Sequence, residues 1–198
     1  MTLRSSCSRS LTRAIITFVV ARTLPGLPFL LLLLLGSAVP LGAAPAAPGF
    51  TVRLLGSQRA FDSRELIGKK VLVVRFQASW CKPCAKESAA LTRLAERYRA
   101  RGVEVLALHV QDTATDVQRF VREQKVAYPV ALDPRLTVAN RFGFKGTPYT
   151  VVVDLRGEVV AQIHGESVVR RLPRLLDGLV ANPPQDGIAR AKPALERR

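Results

Sequence analysis

The chain has 198 residues, 48% of them apolar, and a formal net charge of +15, which suits one domain of ordinary size with accessory segments. The arginines are scattered and no RNA- or DNA-binding signature accompanies them, so the charge reads as a solvated helix surface and nucleic-acid binding is excluded. Three cysteines are too few for a disulfide-stapled scaffold, so the core must hold by packing.

Residues 1–28 carry Arg4, Arg9, Arg13 and Arg22 and no acid; all fifteen acids lie after residue 61. Phe29 to Leu35 is densely apolar, and small residues and prolines follow from Pro40 to Pro48. A basic segment, a short apolar run and small residues at a cleavage site make a secretory signal. The run is shorter than the ~20 residues of a membrane-spanning helix. A longer span from Ala14 would have to carry Arg22, Pro25, Gly26 and Pro28. Residues 1–46 are therefore expected to be a signal peptide cleaved after Ala44 or Ala46, with an uncleaved anchor as the alternative. Cys7 falls in this segment. Residues 47–180 are expected to fold and 181–198 to form a flexible tail. The body would be periplasmic or otherwise extracytoplasmic, touching a membrane only through an uncleaved N-terminus.

Phe50 to Leu55 alternates weakly and is predicted as a first strand, followed by a turn at Gly56-Ser57-Gln58 and a short helix or turn at Ser63 to Ile67. Val71 to Phe76 is a buried strand. From Pro83 to Arg101, Leu91, Leu94, Ala95 and Tyr98 recur at helical spacing, and Gly102 stops the helix. Val103 to Val110 is a second buried strand. Asp112 to Thr115 can cap a helix that buries Val117, Phe120 and Val121. A short strand at Tyr128 to Leu132 and a short helix at Pro134 to Phe142 follow. Thr150 to Leu155 and Glu158 to Ile163 form a hairpin around Arg156-Gly157. A last helix is predicted over Val168 to Val180, with Leu172, Leu175, Leu176 and Leu179 inward. Strands alternating with helices give an α/β fold: a parallel core with an antiparallel edge, flanked by helices.

Trp80-Cys81-Lys82-Pro83-Cys84 sits where a strand gives way to a helix. The first sulfur then lies at the helix N-terminus, where unpaired N–H groups favour a thiolate. The second cysteine is about one turn on, within reach. The pair can cycle between dithiol and disulfide, with Cys81 as nucleophile and Cys84 resolving the mixed disulfide. A purely structural disulfide here would close a very small loop and stabilise weakly. Zinc would need more ligands. A Cu(I) site using both thiolates and a histidine, His109 or His164, is an alternative use of the same sulfurs. Lys82 adds positive charge beside Cys81 or simply faces solvent, and Pro83 fits the first helical turn. Arg75 interrupts an apolar strand; it either reaches beneath the motif to Glu87 or a Cys84 thiolate, or snorkels to water from the strand's end. In the first case it favours thiolates and modulates the redox poise.

The segment Ala78 to Glu87 resembles the TlpA/ResA-type branch of extracytoplasmic thioredoxin-like proteins. Ala47-Pro48-Gly49-Phe50 and Phe142-Gly143-Phe144-Lys145-Gly146-Thr147-Pro148 resemble that branch's entry and its cis-proline segment. The resemblance, over roughly residues 47–180, implies a thioredoxin-like fold with a central mixed sheet. It implies a thiol-disulfide oxidoreductase that reduces disulfides in exported proteins, apocytochrome c among them. Such an enzyme is recharged by a membrane electron donor and needs no cofactor beyond a redox-active Cys81–Cys84 pair. A disulfide oxidase or isomerase is the neighbouring alternative. The resemblance makes Glu87 a proton acceptor for Cys84. It makes Trp80, Lys82, Pro83, Thr147 and a cis Pro148 the candidate substrate-binding set, with the Thr147 backbone pairing with an extended segment. Arg75 and Gln77 depart from the branch: an acid or asparagine is usual at the first position and an aromatic at the second.

Overall fold

In the computed structural model, residues 44–166 and 170–182 are described. Residues 1–43 of the expected signal (1–46) with Cys7, the expected helix start at Val168, and residues 183–198 of the expected tail (181–198) lie outside the described residues. Among those described, no helix is long and apolar enough to cross a membrane.

The folded unit is built on a five-stranded sheet. β3 (Val71–Gln77), β4 (Val103–Val110) and β5 (Val130–Asp133) run parallel; β6 (Tyr149–Val153) and β7 (Val159–His164) close it as an antiparallel hairpin. The spatial order is β5-β4-β3-β6-β7, so β3 is central, and every one of its side chains is buried. Burial on both faces explains why β3 reads as a continuous apolar run and not as an alternation.

Alternate residues nevertheless serve two different cores. Val71 and Val73 of β3, Val103 and Val105 of β4, and Val152 of β6 pack under α1 (Lys82–Arg99) and α4 (Leu172–Ala181), against Leu91, Leu94, Tyr98, Leu172 and Leu176. Leu72, Val74 and Phe76, with Leu106, Leu108 and Val151, face the other way, onto Phe50 and onto Val138 and Phe142 around α3 (Thr137–Arg141). Val117 of α2 (Ala114–Glu123) joins the first core.

The N-terminal segment ties both edges of the sheet. Ala46 bridges Glu158 and the Pro45 carbonyl accepts from Val159 N, beside β7; Leu54 bridges Ala131 and Leu55 N donates to the Val130 carbonyl, at β5. The predicted strand over residues 50–55 is shorter. β1 (Thr51–Arg53) pairs with β2 (Ala60–Asp62) in a separate two-stranded ribbon. β2 was not predicted, because three residues carry no readable period. The predicted helix over 134–142 is also shorter. Leu136 takes a left-handed φ of 58°, and the Asp133 carboxylate accepts from Val138 N and Ala139 N, so the helix starts late.

Candidate active site

α1 begins at the cysteine motif for local reasons. Cys81 is extended (φ −80°, ψ 98°) and its Sγ accepts from Cys84 N at 3.2 Å, which makes a sulfur the N-cap of the helix. Pro83 falls in the first turn, where a missing N–H costs nothing. The chain approaches through a turn in which Cys81 N donates to the Ala78 carbonyl. Cys81 and Cys84 are joined by a disulfide with Cα atoms 5.2 Å apart. Both cysteines are buried against Ala78, while their neighbour Trp80 is 62% exposed and Lys82 faces solvent.

Sheet register brings the distant proline segment to the same edge. Phe76 pairs with Tyr149, so Thr147 and Pro148 flank the end of β3 from which the cysteine loop departs. The Thr147–Pro148 bond is cis, as the resemblance implies, and the Pro148 carbonyl accepts from Gly165 N. Trp80, Lys82 and Pro83 of the cysteine loop and Thr147 and Pro148 therefore lie at the same end of the sheet.

The helix-facing rows of the sheet change character toward that end. Below the body of α1 they are valines; beneath its N-terminus they become Arg75 and Gln77 on β3, His109 on β4 and Thr150 on β6, all buried. Arg75 does not snorkel. Its Nη2 donates to Glu87 Oε2 at 2.5 Å and its Nη1 to Thr150 Oγ1 at 2.9 Å, with the side chain 1% exposed. Burial pulls the guanidinium's pKa down, and the Glu87 carboxylate opposes that pull. Arg75 Nε is buried with no partner among the described residues. Of its two expected partners, Arg75 therefore meets Glu87. Glu87 is not the exposed helix-start acid that the dipole alone would favour: it is buried on the inner face of α1, the face that carries Cys84.

A second polar group lies beside the first, and the sequence named its members only singly. His109 Nε2 is 2.8 Å from Gln77 Nε2, and His109 Nδ1 is 2.8 Å from Asp112 Oδ2. The Asp112 carboxylate in turn accepts from Ser79 N and Ser79 Oγ, each at 2.7 Å. Tyr128, whose hydroxyl has no well-formed hydrogen bond among the described residues, is buried here as well, near Gln77, Ser88 and Arg75. Burial pushes the Tyr128 phenol up and the His109 imidazolium down. The signal for this group was period-two alternation: residues 75, 77 and 109 share the parity of the helix-facing valines. His164, read with His109 as a copper ligand, stacks on Tyr149 at 4.3 Å between ring centroids. Among the described residues no group of three or more His, Cys, Asp or Glu is arranged to hold a metal ion.

Residues 44–162 match the AhpC/TSA family. The thiol-disulfide oxidoreductase ResA of Bacillus anthracis is 34% identical over 126 residues, covering 64% of this chain and 72% of the relative. The thiol:disulfide interchange protein HelX of Rhodobacter capsulatus is 30% identical over 140 residues, covering 70% and 77%. A solved thiol:disulfide interchange protein of the thioredoxin family from Chlorobium tepidum superposes with a TM-score of 0.64 at 23% identity, over 70% of this chain and 98% of that one. Family, relatives and mixed sheet agree: the chain belongs to the AhpC/TSA family, among the ResA-type thiol-disulfide oxidoreductases with a thioredoxin-like fold.

Proposed function

We propose that this protein reduces disulfides in exported proteins through Cys81 and Cys84. The carrying observation is the sulfur cap: Cys81 Sγ receives a backbone N–H at the start of α1, where a thiolate is also favoured by the dipole. The Cys81 thiolate attacks one sulfur of a substrate disulfide; that bond breaks, one substrate sulfur leaves as thiolate, and a mixed disulfide forms. The Cys84 thiolate then attacks Cys81 Sγ, releasing the second substrate thiol and leaving the Cys81–Cys84 disulfide. Two electrons pass to the substrate, and a dithiol on a membrane partner restores the reduced pair by the reverse exchange. Apocytochrome c is one substrate that the resemblance suggests.

Trp80, Lys82 and Pro83 on one side and Thr147 and Pro148 on the other would frame the substrate segment. Glu87 and Arg75 would set the charge balance behind Cys84. The N-terminal signal would deliver the domain outside the cytoplasm. Of the two cleavage sites, the one after Ala44 leaves the Pro45 and Ala46 pairings with the β6–β7 hairpin in place.

One observation favours a second reading, a disulfide oxidase. A buried cation close to the motif stabilises thiolates, hence the reduced form, and a stabilised reduced form makes a stronger oxidant. Two measurements decide. Insulin reduction by the reduced protein should be abolished in Cys81→Ser. The pair's reduction potential should lie near the thioredoxin range of about −270 mV; a value near about −120 mV would replace the reductase reading with the oxidase one.

A further inference from the structure

We propose that Asp112, braced by His109, is a positioning residue that clamps the reactive loop Ser79-Trp80-Cys81 in the geometry from which Cys81 reacts. The proposal rests on the oxidoreductase reading and concerns residues outside the cysteine motif.

Both Asp112 oxygens are engaged by one loop residue: Oδ2 accepts from Ser79 N and Oδ1 from Ser79 Oγ, each at 2.7 Å. Ser79 stands two residues before Cys81, inside the turn closed by Cys81 N and the Ala78 carbonyl. A displacement of Ser79 therefore carries Trp80 and Cys81 with it. Oδ2 also receives the His109 ring at Nδ1, 2.8 Å away. With Nδ1–H donated to Asp112, Nε2 is left to accept from the Gln77 amide, which fixes the neutral tautomer. The imidazole is wholly buried, edge-on to Phe120 of α2 at 5.1 Å between centroids.

This arrangement acts on the loop and not on the reacting sulfur. Both His109 nitrogens are occupied, so the ring is not available as a base for Cys81. Gln77 is fixed on β3 and Asp112 follows β4, two strands paired at Gln77 and His109. The chain from Gln77 through His109 and Asp112 to Ser79 thus ties the loop that carries Cys81 to the buried central strand of the sheet. A buried carboxylate and imidazole are costly unless their partners are held in place. Here the partner held in place is the backbone that presents the nucleophile. A displacement of about 1 Å at a reacting group can cost about 100-fold in rate.

Trp80, the chain's one tryptophan, lies inside the clamped loop and reports on it directly. The experiment measures Trp80 fluorescence anisotropy and insulin-reduction kcat/KM for the full domain and its variants. Asp112→Asn and His109→Ala should lower kcat/KM about tenfold or more and lower the anisotropy, while thermal unfolding stays cooperative. His109→Asn, which keeps an N–H donor at the position of Nδ1, should recover most of both signals; a merely space-filling role for the ring would not distinguish it from alanine. Ser79→Ala, at a half-buried site that keeps the backbone N–H bond, should give a smaller loss in the same direction and serves if Asp112→Asn does not fold. Unchanged anisotropy and kcat/KM in folded Asp112→Asn, or in Ser79→Ala where it alone folds, overturns the clamp. Absence of disulfide reduction by the wild-type protein would instead overturn the functional reading, a result distinct from an unresponsive Trp80.

Discussion

Arg75 donates to Glu87 at 2.5 Å from a position where its guanidinium is sealed from water, on the strand directly beneath the helix that begins with the cysteines. The cation enters a place where the resemblance leads one to expect an acid or an amide. It changes the charge seen by any thiolate formed at Cys84, because the buried carboxylate no longer acts alone. Removing either partner strands the other. Arg75→Met and Glu87→Gln should each cost about 3–5 kcal/mol of stability, and the double variant should recover part of it. Their redox effects should have opposite signs. Arg75→Met should move the reduction potential to more negative values and Glu87→Gln to more positive ones, by about 30 mV for each 1.4 kcal/mol of change in thiolate stabilisation. Equilibration of each variant with a glutathione buffer measures this, and shifts of the same sign would contradict the assignment.

The order of events at the two sulfurs makes a separate prediction. Cys81 caps α1, while Cys84 lies one turn inside it and is the more deeply covered of the two. Cys84→Ser should attack a substrate disulfide and then stall, because nothing remains to displace the mixed disulfide at Cys81. Incubation with an oxidised protein substrate should therefore accumulate a covalent adduct that dithiothreitol releases. Cys81→Ser should form little or none.

Much of this site was legible because its determinants are local. A Cys-x-x-Cys after an apolar run and before a helical period fixes strand, cap and helix within a dozen residues, and α1 begins within one residue of the expected start. The Gly-Thr-Pro segment was readable only through resemblance, since nothing local says that Pro148 will meet the end of β3; that depends on the register of Phe76 with Tyr149. Arg75 stood out because a charge in an apolar strand demands a partner, and Glu87 lies on the reachable helix face. Gln77 stood out only as a departure from the resembled branch, His109 only as a candidate copper ligand and Asp112 only as part of a helix cap; that the three pair with one another was not legible. Each lies at or just past the end of a strand, where polar residues ordinarily meet solvent, and His109 is covered by Phe120 of α2, a contact that its own strand does not announce. β2 escaped notice because a ribbon of three residues per strand has too few positions to show alternation.

His109 also carries a pH dependence. Burial holds its pKa below the ordinary 6.5, against the pull of Asp112; Gln77 and Phe120, which also face the ring, bring no charge. The folded state therefore resists a proton that the unfolded chain accepts. Stability from this source is complete above about pH 6.5 and declines as pH falls through the window between the two values, at up to about 1.4 kcal/mol per unit. Urea midpoints should drop between pH 7.5 and 5.5. His109→Gln, although less stable at pH 7.5, should show a flatter profile over that interval. An equally steep decline in the variant would assign the effect to other groups.

Trp80 presents the most exposed large apolar surface next to the disulfide, 62% open, beside a groove lined by Asp116, Arg119 and Glu123 of α2. A solvated indole adjoining a nucleophile suits contact with a protein substrate, because aromatic anchors dominate interface energetics. Trp80→Ala should raise KM for insulin about tenfold, the equivalent of roughly 1.4 kcal/mol, with a much smaller effect on kcat. The rate of exchange with oxidised glutathione, which is too small to span the indole and the cysteine together, should fall far less than kcat/KM for insulin. Equal losses with both substrates would place the role of Trp80 in supporting the Cys81 loop, and a loss confined to the protein substrate would place it in docking.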